Sequence, residues 1–201
     1  ERTMTTGEKL AQCRRALGMT QEQLAEKMHL SRQSVSRWEM DAAFPETDKL
    51  IRLSRLFGCS IDYLLSNTAA GDEAKGEEAL QSAFFFIRSC GCFFLATVHS
   101  GVPHIRPMGM IGLWEGKLLL CTDKRKQVYR ELKENGEAEI AAYHMESRKW
   151  IRIHGKAMEE TSPTAMEEMM KLYPMISQEY AGQNRQQAVL FRIEENEVKW
   201  M

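Results

Sequence analysis

Residues 20–39, TQEQLAEKMHLSRQSVSRWE, constrain the fold more than any other stretch of this chain. Leu24, Ala25 and Met28 recur at helical spacing, and Val35 and Trp38 repeat the pattern after a break. The segment reads as two short helices joined by a tight turn, with Ser31 as the natural cap of the second. That second helix turns Arg32, Gln33, Ser36 and Arg37 outward. These are short or forked hydrogen-bond donors, able to read base edges in a major groove: arginine pairs bidentately with guanine and glutamine with adenine. The bland alternative is a helical hairpin with a solvated polar face. The coincidence of donors, cap and turn favours a reading head.

The pattern TQ-x-x-LA-x-x-x-x-LS-x-x-x-VS-x-WE continues into Pro45 and the run LIRLSRLFGCSIDYLL. Over residues 7–66 the chain thereby resembles a Cro and lambda-repressor-like helix-turn-helix of the xenobiotic-response-element (XRE) type. The resemblance implies an all-α, five-helix DNA-binding domain. It implies that Gln21 opens the second helix and holds a phosphate, and that Arg32, Gln33 and Arg37 face bases. It also implies an internal ion pair between Arg14 and Glu39. One departure stands out: Asp41 occupies the place where a glycine is usual. Aspartate tolerates a left-handed helix end less well, so the exit from the reading helix is expected to differ.

A chain of 201 residues has room for two small domains, each with its own core. No apolar run approaches the roughly 18 residues of a membrane span; the most hydrophobic stretch, FFFIRSCGCFFLATV, is interrupted by Arg88. No secretory signal is read, and the N-terminus, which lacks methionine, is expected to be trimmed or to carry added residues. The five cysteines are scattered and odd in number, which suits a reducing cytoplasm. Cys90 and Cys92 flank a single glycine, which leaves a metal or redox pair open there, although no second ligand pair accompanies them. Residues 1–66 carry ten Lys/Arg against nine Asp/Glu. This is not the footprint of a nonspecific DNA coater, and it fits selective binding with positive charge gathered on one face.

Along the chain, helix one runs from Gly7 to Leu17 and stops at Gly18. Pro45 and Thr47 set up a fourth helix through Phe57, and Ser60 caps a short fifth, IDYLL. The small, polar stretch SNTAAGDEAKGEE reads as a linker, over 67–76. A DNA-binding domain is therefore expected over 1–66 and a second domain over 77–201. In that second part Ala79 to Ser89 reads as a helix, followed by strand-like runs CFFLATV, PHIRPMGMIGL and KLLLCT. RKQVYRELKENG is an amphipathic helix; EAEIAAYH and KWIRIHGKAME are strands; SPTAMEEMMKLYP is a capped helix; AVLFRIEENEVKW reads as a hairpin. Many short strands with a helix crossing between the third and fourth suggest a small closed barrel, mainly β with flanking helices.

The motifs LATV-x-x-x-G-x-P-x-x-RP-x-G, LLLCT-x-x-x-K-x-VY-x-x-L and W-x-R-x-x-GKA follow in order. Through them residues 77–201 resemble the FMN-binding split barrel of the pyridoxamine 5′-phosphate oxidase-like superfamily. Chemistry agrees with an anionic cofactor, because Arg106 and Thr122 end strands and Lys126 opens the next helix, whose N-terminus favours a phosphate. The resemblance implies that Arg106, Pro107, Met108 and Gly109 lie along a flavin, that Thr122 and Lys126 hold its phosphate, and that Trp150 and Arg152 sit near the ring, reached from a second subunit. The bland alternative makes Arg106 and Lys126 solvated surface charges. The arginine-rich C-terminal signature of true pyridoxamine-phosphate oxidases is not visible near Trp200, which argues against vitamin conversion. FMN is the expected cofactor; related barrels use a deazaflavin or haem, for which His99, His104, His144 and His154 are ligand candidates. A cluster of Met166, Met169, Met170 and Met175 is expected in core packing or a dimer seam.

No catalytic constellation is recognisable. The reading is a cytoplasmic transcription regulator whose partners are a double-stranded DNA operator, FMN or another small ligand, and a second copy in a homodimer that presents two heads to a two-fold operator. The rival is an FMN-dependent oxidoreductase acting on a small molecule with an accessory DNA-binding domain. A third reading is a pure interaction module with an empty barrel.

Overall fold

The computed structural model of the protein describes residues 4–65, 77–145, 148–180 and 186–201, which form two compact units, Glu1–Ser89 and Cys90–Met201. The expected linker at 67–76 lies outside the described residues.

The first unit contains α1 (Thr6–Ala16), α2 (Gln21–Met28), α3 (Arg32–Glu39), α4 (Thr47–Phe57), α5 (Ile61–Leu65) and α6 (Glu77–Cys90). Local chemistry explains the helix ends. Thr5 and Thr20 each build a capping box, with Glu8 and Gln23 reaching back to the cap. Ser31 Oγ accepts the Ser34 N–H at 3.2 Å, Ser60 Oγ accepts that of Tyr63 at 2.9 Å, and Gly58 takes the left-handed turn (φ 69°) that ends α4. Leu10, Leu24, Met28, Val35, Leu53 and Leu64 fill the core. One grouping differs from the sequence expectation. The helix assigned to the second domain, α6, packs on the first unit, moving the boundary between units from residue 77 to Ser89/Cys90. Phe85 stacks on Tyr63 with ring centres 5.5 Å apart, Gln81 Oε1 accepts the Ser60 N–H at 3.2 Å, and Arg88 donates to the Ala16 carbonyl at 2.7 Å.

The exit from α3 shows how Asp41 substitutes for a glycine. Asp41 adopts the left-handed conformation (φ 54°), which costs an L-residue roughly 1–2 kcal/mol. Its carboxylate offsets that cost by accepting the Gly7 N–H at 2.9 Å and the Thr5 hydroxyl at 2.5 Å. The end of one helix thus caps the start of another. The approach is close: a Cβ on Gly7 would lie 2.4 Å from the Trp38 carbonyl oxygen, a backbone atom that cannot swing away, so only glycine fits there.

The second unit contains β1 (Phe93–His99), β2 (Val102–Met108), β3 (Ile111–Trp114), β4 (Lys117–Asp123), α7 (Gln127–Glu134), β5 (Glu137–His144), β6 (Lys149–Glu160), α8 (Pro163–Leu172), α9 (Pro174–Glu179) and β7 (Ala188–Trp200). The strands form one seven-stranded antiparallel sheet in the order β2-β1-β5-β6-β7-β4-β3. In a flat sheet the end strands, six spacings apart, would be separated by about 29 Å. Yet Met108 ends β2 and Ile111 begins β3, so the chain between them spans about 11 Å at most. The sheet must therefore curl until its ends meet at Gly109–Met110, while no ladder joins β2 to β3 among the described residues. It is a split barrel rather than a closed one.

Three local expectations change. The run PHIRPMGMIGL divides into β2 and β3, which puts α7 after the fourth strand instead of the third. The segment expected to be a hairpin is one 13-residue strand, β7. It pairs with β4 through its first half and with β6 along most of its length, past a register shift between His154 and Lys156. EENE lacks a glycine for a tight turn, and the charge of Glu194 is met by Lys117 from the neighbouring strand β4 at 2.8 Å and by Arg192 on β7 itself at 2.7 Å. The segment α9, after Pro174, is an additional short helix. The methionine cluster is partly core: Met169 packs with Leu119, Cys121, Ile176, Tyr180 and Leu190, Met166 and Met170 lie against that group, and Met175 is exposed. Gly112 admits this packing, since a Cβ there would meet Met169 Sδ at 2.4 Å.

Candidate functional site

The reading helix α3 is held from inside by Val35 and Trp38, both buried. With those two positions inward, the 3.6-residue repeat leaves Arg32, Gln33 and Arg37 exposed and Ser36 half-buried, while Ser31 sits exposed at the cap. Of the six residues singled out from the sequence, five lie on the two helices of the motif and Ser31 caps the second. Arg32 lies 3.8 Å from Glu22 with both side chains mostly solvated, a pairing too weak to tie up the guanidinium. Gln21 is the first residue of α2 but its amide is engaged, Nε2 donating to Glu39 Oε2 at 2.9 Å. A phosphate contact would use its second N–H or the helix end itself.

Glu39 is the centre of a buried network. Arg14 grips it with both prongs, Nε to Oε1 at 2.6 Å and Nη2 to Oε2 at 2.9 Å, and sends Nη1 to the Met19 carbonyl at 2.7 Å. The ion pair expected from the resemblance is thus present, and only 9% and 6% of the two side chains are exposed. A cleft of about 240 Å³ borders α3, lined by Ser34, Arg37 and Trp38 on one side and Phe44 and Lys49 on the other. Phe44, in the loop between α3 and α4, and Lys49, in the first turn of α4, were not singled out by the sequence reading, because neither belongs to the helix pair that carries the motif.

In the second unit the interest lies where β4 runs into α7. Thr122 and Asp123 are buried and Lys124, Arg125 and Lys126 are exposed. Asp123 folds this turn. Its carboxylate accepts the Arg125 N–H at 2.8 Å and pairs with the Arg125 guanidinium at 2.6 Å, and the side-chain bond to Arg125 pulls its acidity to a pKa of about 2. The N–H groups of Lys124 and Lys126 are satisfied by Gln187 and Asp123 carbonyls. Lys126 stands at the N-cap of α7 without any side-chain cap bond, so the first-turn N–H groups of Gln127 and Val128 face an anion-favouring end. Lys124 and Arg125 were missed, although three consecutive cations before an amphipathic helix are a legible signal.

The β2 residues divide by face. Pro107 is exposed and lies opposite Phe94, and Met108 is half-buried opposite Phe93. A Cβ on Gly109 would meet nothing within 4 Å, so its backbone borders open space. The β3–β4 ladder ends with Ile111 opposite Leu120, and Gly109 precedes it by two residues as Thr122 follows by two. Pro107, Met108 and Gly109 thus lie at the end of β2 that leads into β3, and Thr122 and Lys126 at the end of β4 that leads into α7.

Arg106 is tied into the chain itself. It is the neighbour of Leu95 on the face beneath α7, donating to Glu131 Oε2 at 2.6 Å and to the Thr97 hydroxyl at 2.5 Å. Thr97 passes its own proton bond to Glu131 at 2.5 Å. Glu131 is buried, and His104 touches its other oxygen. Burial pushes this carboxyl up, but Thr97, His104 and Arg106 together bring it below its ordinary value. Arg106 therefore fastens α7 to the sheet. A fully solvated surface charge does not describe it.

Trp150 and Arg152 sit on the outer face of β6. The cross-strand row Arg152–Ala141–Phe94–Pro107 spans β6, β5, β1 and β2, which sets Arg152 three strand spacings, about 14 Å, from Pro107. Arg152 also lies 3.7 Å from Glu139. Within one chain these two residues are not brought to the β4–α7 corner. Of the candidate histidines, His99 meets Glu134 at 2.6 Å and His154 meets Glu137 at 3.1 Å, and His144 ends β5. Among the described residues no helix is long and apolar enough to cross a membrane.

Comparison with known proteins agrees with both halves. Residues 10–64 match the helix-turn-helix family and residues 81–199 match the pyridoxamine 5′-phosphate oxidase family. The first unit is 40% identical over 62 residues to the HTH-type transcriptional regulator ImmR of Bacillus subtilis (strain 168), a match covering 31% of this chain and 49% of that protein. The chain thus spans about half the length of this relative. The barrel resembles the crystal structure of a NimC/NimA family protein from Clostridium acetobutylicum, with 21% identity and a TM-score of 0.55 over 62% of this chain and 94% of that one. A heme binding protein from Mycobacterium smegmatis matches with 18% identity and a TM-score of 0.50 over 65% of this chain and 55% of that one. At these identities the solved structures speak for the fold alone.

Proposed function

Because the chain belongs to the pyridoxamine 5′-phosphate oxidase family through residues 81–199 and carries an XRE-type helix-turn-helix ahead of it, we propose that it is a sequence-specific transcriptional regulator with a flavin-binding, dimer-forming barrel. The observation that carries the reading is α3 itself, anchored by Val35 and Trp38 and presenting Arg32, Gln33 and Arg37 to solvent. Regulators such as ImmR share this part of the chain.

For the barrel, FMN is the favoured ligand. The uncapped start of α7, with Lys124 and Lys126 exposed beside it, suits a phosphate, and the open space at Gly109 gives a flat ring access to backbone. Trp150 and Arg152 reach such a ring only from a second copy. The outer sheet face supports that pairing: Phe94, Val98, Ile105, Tyr143 and Trp150 are all exposed on it, and an apolar face of this kind marks an association surface. A flavin that binds differently to two arrangements of the dimer would bias the spacing of its reading heads.

Selection of operators from a randomised duplex pool tests the first half. Arg37→Ala is expected to cost about 1–3 kcal/mol at the preferred operator and to relax one base position, while Gln21→Ala weakens all sequences alike. Unchanged selection after joint replacement of Arg32, Gln33 and Arg37 removes the assignment. The absorbance spectrum of the purified protein and FMN titration of the stripped protein test the second half. Lys126→Ala is expected to weaken FMN without changing thermal stability. A Soret band, or no FMN uptake by the unaltered chain, moves the barrel to haem or to an empty interaction module.

A further inference from the structure

Two histidines of the β1–β2 hairpin face α7 through carboxylates. His99 Nδ1 lies 2.6 Å from Glu134 Oε2, and His104 Nδ1 contacts Glu131 Oε1. An ionised carboxylate only accepts, so each Nδ1 carries a proton, and in the neutral ring Nε2 is the atom left to coordinate. Gln127 Nε2 also approaches His104 Nδ1, at 3.4 Å, but two donors cannot share one bond, and the shorter contact to Glu131 sets the tautomer. The strand register puts both rings on one face, with centres 6.2 Å apart. The two side chains are 44% and 31% exposed.

A histidine that binds a metal holds its other ring N–H on a carboxylate, which fixes the ring and raises its basicity. Here that supporting arrangement occurs twice on adjacent rings. We propose that His99 and His104 form a two-imidazole site for a borderline divalent transition ion such as Zn²⁺ or Ni²⁺, with water completing the coordination. Metal–nitrogen bonds of about 2.0–2.1 Å place a shared ion about 3.2 Å from each ring centre. The rings then need to close by about 1 Å for a tetrahedral angle, within the swing of a side chain as exposed as His99. The charges around the site, Glu131 and Glu134 against Arg106, favour a cation. Among the described residues no group of three or more His, Cys, Asp or Glu could hold a metal ion. The site is therefore exchange-labile, suited to sensing an ion rather than building the fold. The competing account makes the two His–Glu contacts plain ion pairs that steady α7.

The test uses the untagged full chain, stripped of metal and free of flavin, so that its outcome is separate from that of the FMN reading. Zn²⁺ is followed by calorimetry and Co²⁺ by its visible bands. One ion per chain is expected, lost in His99→Ala and bound about ten-fold more weakly in Glu134→Gln, with the thermal midpoint of both variants unchanged. The ¹⁵N imidazole spectrum should show the Nδ1–H tautomer for both rings, and its Nε2 signals should move on adding Zn²⁺. No uptake by the unaltered chain overturns the proposal. So does binding that persists in His99→Ala, which places the ion on another histidine, or affinity indifferent to Glu134→Gln, which leaves only the ion pairs.

Discussion

Glu39→Ala is expected to destabilise the first unit by about 3–5 kcal/mol, the cost of leaving a buried charge without its partner. Arg14 reaches inward to three acceptors, two of which are the oxygens of Glu39, and with Glu39 gone it has only the Met19 carbonyl. Gln21 loses its acceptor in the same step. Domains of this size hold about 5–15 kcal/mol in all, so the variant is expected to be partly unfolded near its former working temperature. Denaturant unfolding of the full chain, followed through the first unit's transition, measures the loss. Replacing both partners with apolar residues, Arg14→Met with Glu39→Leu, should restore most of it, because burying no charge is cheaper than burying one alone. A loss below about 1 kcal/mol for Glu39→Ala is the value of a solvated surface pair and contradicts the burial of this one.

Arg106→Ala is the corresponding experiment in the barrel, and it separates two roles for one residue. With its guanidinium on Glu131 and Thr97, its removal leaves the buried Glu131 carboxylate under α7 with Thr97 and His104 but without its guanidinium partner, at a cost of about 3 kcal/mol. The second unit's unfolding transition should fall accordingly, with or without FMN. Adding Glu131→Leu should recover stability. Were Arg106 a phosphate anchor, Arg106→Ala would stay as stable as the unaltered apo-protein and lose only ligand. Lys126→Ala, an exposed residue at an uncapped helix start, has the opposite profile: weaker FMN and unchanged stability.

This difference between Arg106 and Lys126 shows what the chain discloses by itself. Helix ends were legible because their determinants are neighbours in sequence: Ser31 caps α3, Ser60 caps α5 and Gly58 ends α4. The faces of α3 followed from Val35 and Trp38 by periodicity alone. Arg106 was recognisable as a cation beside a motif, but its partner Glu131 lies 25 residues away on a helix, and no local pattern announces that docking. Asp41 is similar. Its departure from glycine was visible, and the 34-residue reach back to Gly7 that offsets the strain was not. The polar run EENE suggested a turn, because the cations that let it continue as strand, Lys117 and Arg192, come in part from another strand. Helix α6 was placed by its sequence neighbours, whereas Tyr63, Ser60 and Ala16 decide where it packs.

The seam at Gly109–Met110 has a mechanical consequence. Every other junction between neighbouring strands is laced by backbone hydrogen bonds, so widening the barrel there would break a ladder rung by rung. At the seam a short covalent strap joins the walls and, among the described residues, no ladder does, so they can part without losing a rung. Breathing of the barrel is thus concentrated along one line, and amide exchange should be fastest on the seam-facing edges of β2 and β3. A flat molecule that slides in at Gly109 enters through the part of the wall that costs least to open.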